Sequence, residues 1–109
     1  MAETLKVLGQ VDPAATTLTT AYTVPAATSA VISSIVVANR SAVATSFRVS
    51  VAVAGAADST KQYIAYDVAI GGNAMTTLKL GISLAATDVV RVYATLATLS
   101  FNIFGVENT

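Results

Sequence analysis

The stretch TSFRVSVAVA, Thr45 to Ala54, alternates large apolar side chains with small or polar ones. Phe47, Val49, Val51 and Val53 point one way; Arg48, Ser50, Ala52 and Ala54 point the other. That period of two belongs to a strand with one face buried.

The pattern continues on both sides. Thr4–Val11 reads as a short strand closed by Asp12-Pro13, Thr17–Val24 as a Thr-rich strand stopped at Pro25, and Ala30–Asn39 as a strong β segment dense in β-branched residues. After a loop at Gly55–Thr60 come a strand at Lys61–Ile70, a hairpin-type turn at Gly71-Gly72-Asn73 and a strand at Met75–Leu80. Asp88–Thr95 places Val90, Val92 and Ala94 on one face and Arg91 and Tyr93 on the other. Thr98–Val106 turns Leu99, Phe101 and Ile103 inward, with Asn102 and Phe104 opposite. Ser83–Asp88 holds good helix formers but is long enough only for one turn. The expectation is an all-β chain: a single antiparallel β-sandwich of about eight strands, jelly-roll or immunoglobulin-like, occupying residues 1–109 as one domain.

Composition narrows the function classes. Of 109 residues, 54% are apolar and 11% charged, with six basic residues balanced by six acidic ones. About 25% charge is usual. Balanced charge lacks the basic excess of nucleic-acid binders. His, Cys and Trp are all absent. That removes the commonest general base and metal ligand, thiolate chemistry and disulfides. The uncharged run Pro13–Asn39 is interrupted by two prolines and many Ser and Thr, so it does not read as a membrane span. The N-terminus shows no basic-then-apolar leader, which makes the cytoplasm the expected place of synthesis.

The acidic residues Glu3, Asp12, Asp58, Asp67, Asp88 and Glu107 are scattered along the chain. Asp12, Asp58 and Asp88 sit beside turns, where Asp bonds nearby backbone. No calcium-loop spacing occurs, and Gly71-Gly72-Asn73 is not followed by the Lys-Ser/Thr of a phosphate loop. No catalytic, cofactor-binding or metal-ligating residue is expected. Arg48 and Asp67 both fall inside strands, where they form either an ordinary exposed ion pair across the sheet or a charged pair at a subunit contact. Arg91 and Tyr93 share an outward face, and Arg and Tyr are enriched at interfaces. Arg48, Asp67, Arg91 and Tyr93 are therefore the interface candidates. Tyr63 and Tyr66, three positions apart on one strand, are expected on opposite faces.

Ala, Val and Thr make up almost half of the chain. Such a surface, with net charge at zero, favours association, and the edges of a sandwich need covering or pairing. A homo-oligomer is expected. The ends, Met1–Lys6 and Glu107–Thr109, are short enough to act as arms reaching a neighbour.

Three stretches carry a resemblance: YTVPAATSAVISSIVVANRS (Tyr22–Ser41), TSFRVSVAVAGAADSTKQYIAYDV (Thr45–Val68) and LAATDVVRVYATLATLSFNIFGV (Leu84–Val106). Together they resemble small β-rich virion structural proteins of tailed bacteriophages. The chain departs from that pattern at Ile64-Ala65 and through Gly71–Leu80. The resemblance implies a structural protein located in the virion, and its place in the particle does not follow from it. With the composition, the expectation is a cement or decoration protein, a homotrimer bound to the major capsid protein, with no nucleic-acid or membrane partner and no enzymatic activity. A tail, baseplate or fibre-base component is the alternative. A glycan-binding β-sandwich is a further one, weakened by the absence of Trp.

Overall fold

The computed structural model describes residues 2–109. Among them nine strands form: β1 (Glu3–Val11), β2 (Thr19–Thr23), β3 (Ser29–Asn39), β4 (Thr45–Ala52), β5 (Tyr63–Ile70), β6 (Met75–Leu78), β7 (Ile82–Leu84), β8 (Val89–Ala94) and β9 (Leu99–Asn108). The only helical pieces among these residues are single 3-10 turns at Val53–Gly55 and Thr60–Gln62. The chain is an antiparallel β-sandwich. One sheet runs β1-β9-β3-β6, with β7 also paired to β3; the other runs β2-β8-β4-β5.

The order of crossings separates the two expected architectures. In an immunoglobulin sandwich the first two strands share a sheet. Here β1 and β2 lie in different sheets, and the chain changes sheet at every connection except β4–β5 and β6–β7. With β6 and β7 as two halves of one interrupted strand, two sheets of four interleave in jelly-roll order. The interruption falls at Lys79-Leu80-Gly81, so the expected strand Met75–Leu80 is shorter than its reading. Ser83–Asp88, too short for a helix and read as a single turn linking two strands, is the end of β7 followed by a tight turn into β8.

The core lies between the sheets. Phe47, Val49, Val90, Val92 and Ala94 descend from the four-stranded sheet to meet Ile32, Ile35, Val37, Leu99, Phe101 and Ile103 of the five-stranded one. Phe47 and Phe101 touch edge to face, with ring centroids 6.0 Å apart at 75°. The phase read from sequence holds in β8 and β9, and in β4 as far as Ala52. There the chain leaves the sheet: Ala54 takes φ +54°, and Val53, expected inward, is 72% exposed. Val51, also expected in the core, is only half-buried. The Gly71–Asn73 turn is not a hairpin. It carries the chain from β5 in one sheet to β6 in the other, with the Asn73 N–H donating to the Ser41 carbonyl at 2.7 Å. Gly72 is required there, because any Cβ would collide with the Ala42 backbone.

Of the expected arms, Met1 lies outside the described residues and the remainder is not free. Residues 3–7 pair with 104–108 along β9, and Ala2 and Thr109 exchange two backbone hydrogen bonds of 2.9 Å. Nearby, Glu107 accepts from the Tyr22 hydroxyl at 2.6 Å and from Lys6 Nζ at 3.2 Å, tying β9 to β2 and β1.

Phe101→Ala is expected to cost about 3–5 kcal/mol, the range for large core truncations. It should appear as a lower denaturant midpoint at unchanged m-value. Val51→Ala should cost clearly less. Equal losses for the two variants would contradict the assigned core.

Candidate interaction surface

The outer face of the four-stranded sheet is built on β4. Phe47 and Val49 point into the core, so Arg48 between them must point out. Its neighbour across β8 is Tyr93, in direct register. On the other side, β5 does not keep step. Phe47 pairs with Val68 and Val49 with Ala65, so the single residue Arg48 faces two residues, Tyr66 and Asp67. This is a β-bulge, and Asp67 takes φ +52° within it. Asp is one of the few non-glycine residues that tolerates that left-handed conformation. A second extra residue, Ile64, sits between the pairs Val49–Ala65 and Ser50–Tyr63. The two bulges rephase β5 so that Tyr63, Tyr66 and Asp67 all come to the outer face.

The result is a closed constellation. Arg48 Nε donates to Asp67 Oδ1 at 2.7 Å and Nη2 to Oδ2 at 3.3 Å, a fork on a carboxylate. The guanidinium carbon lies 4.1 Å from the Tyr66 ring centroid and 4.5 Å from that of Tyr93, so the cation is held between two rings. Tyr63 meets Tyr66 edge on, at 5.1 Å and 84°. The bond to Asp67 is the main reason that the Arg48 guanidinium holds its proton even more firmly than usual. Burial, then a hydrogen bond to Asp58, pushes the Tyr63 hydroxyl up. Tyr66 stays 54% exposed, a large aromatic ring fixed at the surface.

Of the four residues expected at an interface, Arg48, Asp67 and Tyr93 come together. Arg91 shares their face but is committed elsewhere: its Nη1 donates to the Ala56 carbonyl at 2.9 Å and its Nη2 to that of Gly55 at 3.2 Å. It latches residues 53–62 over the lower half of the face. That cover explains why Ser50 and Ala52, outward by phase, are fully buried. Gln62 and Asp88 hold the same cover. Gln62 caps its 3-10 turn, and the two Asp88 carboxylate oxygens accept from the Ala54 and Ala85 N–H groups, each at 2.9 Å. Tyr63 and Tyr66 were not expected side by side, because strict alternation puts them on opposite faces. The available signal was Asp67 itself, a poor strand former in mid-strand beside an aromatic residue.

No three Asp or Glu residues converge on a possible metal position among the described residues. No described helix is long and apolar enough to cross a membrane. No family model, curated protein or solved structure matches the chain.

At position 67, backbone conformation and charge can be separated. Asp67→Gly and Asp67→Asn should fold with modest loss of stability, since both tolerate positive φ, whereas Asp67→Val should be clearly the least stable of the three. Thermal melts ranking Val equal to Gly would contradict the bulge. In alkaline ultraviolet titration, Tyr63→Phe should remove a component that ionises above the ordinary tyrosine pKa of about 10. A raised folded-state pKa means that Tyr63's contribution to stability is present below about pH 10 and is lost as pH rises through the folded value.

Proposed function

We propose that the protein is a structural component of a bacteriophage particle, a decoration subunit that binds the major capsid shell and stabilises it without catalysing a reaction. The observation that carries this reading is the Arg48–Asp67 pair clamped between Tyr66 and Tyr93. Tyr and Arg held rigid at a surface lose little conformational entropy on docking and have the composition of binding hot spots. Two of the three stretches that resemble phage virion proteins, Thr45–Val68 and Leu84–Val106, contain the whole constellation.

The geometry favours a protein partner over a glycan. A sugar stacks on an open aromatic face. Here Arg48 lies against Tyr66 and Tyr93, and Tyr63 stands edge on to Tyr66. What remains is an Arg–Asp pair with a tyrosine rim, suited to main-chain carbonyls and polar side chains of a neighbouring protein.

Shells that lack this protein should take up the purified wild type to a copy number that scales with the capsid lattice, and should gain heat and salt resistance. Arg48→Ala and Tyr66→Ala, folded as judged by circular dichroism, should bind about 30-fold more weakly or worse, the loss typical of a central Arg or Tyr. Wild-type affinity in both variants would refute the assigned surface. Occupancy limited to a handful of copies would refute the shell and point to the tail.

A further inference from the structure

The two outer faces are dressed differently. Segment 53–62 and the Arg48 constellation cover the four-stranded sheet. On the five-stranded sheet, register places Leu5, Val106 and Val31 side by side across β1, β9 and β3, with Val7 beside Phe104 in the next row. Leu5 is 83% exposed, and Val7 and Val31 also lie in the open. Between Glu3 at one end and Arg40 at the other, the outward positions of β1, β9 and β3 hold no charged residue; on the fourth, edge position of the sheet, the exposed Lys79 stands in the break between β6 and β7.

We infer that this face packs against the same face of a second copy, related by a two-fold axis that runs between the two sheets and across the strands at Phe104, so that the Leu5–Val106–Val31 row of one copy lies on the Gln10–Asn102–Val36 row of the other. Three features point to a copy of the chain itself. In a two-fold contact, residues near the axis meet themselves, so a charge there repels its own image; this face has none at its centre. The same symmetry lays the Glu3 end of one copy over the Arg40 end of the other, where Arg40 shares a shallow cleft with Asp12, Gln10 and Asn102. The polar groups close to the axis need nothing from a partner, because Gln10 Nε2 already donates to Asn102 Oδ1 at 2.7 Å. The area is also adequate. Four strands at about 4.8 Å spacing and about eight residues at 3.3 Å rise give about 500 Å² per copy. Two stacked faces therefore bury about 1,000 Å², the lower bound for a specific interface. Face-to-face stacking of twisted sheets is the ordinary geometry of β-sandwiches, repeated here between molecules.

The inference stands apart from the shell-binding reading, because it is read in solution without shells. Sedimentation velocity on the full chain at micromolar concentration should show a dimer. Val31→Glu, an exposed position whose change leaves the core untouched, should weaken the dimer at least about 30-fold while matching the wild-type melting curve at dilutions where both are monomeric. Glu3→Arg should weaken it as well, and adding Arg40→Glu should restore it. A wild-type monomer or trimer would overturn the inference, as would an undiminished Val31→Glu dimer or a charge-swapped double variant no better than the single. Val31→Glu losing shell binding while remaining dimeric would put the shell, not a second copy, on this face and overturn it too.

Discussion

Phe47 set edge on against Phe101 is the contact from which the two outer faces follow. One ring is the third residue of β4 and the other the third residue of β9, and each fixes the inward phase of its strand. Once Phe47 points in, Arg48 points out beside Tyr93. Once Phe101 points in, Asn102, Phe104 and Val106 point out. With few large side chains in a chain dominated by Ala, Val and Thr, a slip of one residue at either ring would empty the core and turn both surfaces inside out.

The second determinant is the pair of bulges in β5. An edge strand offers unpaired backbone groups to any neighbouring strand, and bulges are one way of spoiling that template. In β5 the same irregularity does a second job. It brings Asp67 to Arg48 and stacks Tyr66 over the guanidinium, and a left-handed residue within a strand is accepted for the sake of that arrangement. Backbone conformations of this kind cluster where structure serves binding. Here the arrangement is a fixed, partly polar, partly aromatic surface beside a sheet edge that resists strand addition.

Much of this was legible in the sequence. The alternation of Thr45–Ala52, Val89–Ala94 and Leu99–Val106 is strict, and it alone put Arg48 and Tyr93 outside and Phe47 and Phe101 inside. What stayed hidden has a common cause: alternation assumes one residue opposite one residue. The extra residues in β5 break that count, so strict alternation puts Tyr63 and Tyr66 on opposite faces when they share one. The positive φ at Ala54 ends β4 early and exposes Val53. Gly71–Asn73 has the composition of a hairpin turn, and only its fit beneath Ser41 and Ala42 makes it a crossing between sheets. The ends looked like arms because short polar termini usually are, whereas Ala2 and Thr109 are paired to each other. The choice between jelly-roll and immunoglobulin order depends on which strands are neighbours, and a local pattern does not carry that.

In the arrangement proposed above, the two faces have different occupants, a shell protein on the Arg48 face and a second copy on the Leu5 face. Hydroxyl-radical footprinting of side chains tests both together, comparing dilute protein, concentrated protein and shell-bound protein. Leu5, Val31 and Phe104 should become protected on concentration alone, and Tyr66 and Tyr93 only when shells are added. Tyr66 and Tyr93 oxidised equally in free and shell-bound protein would contradict that arrangement.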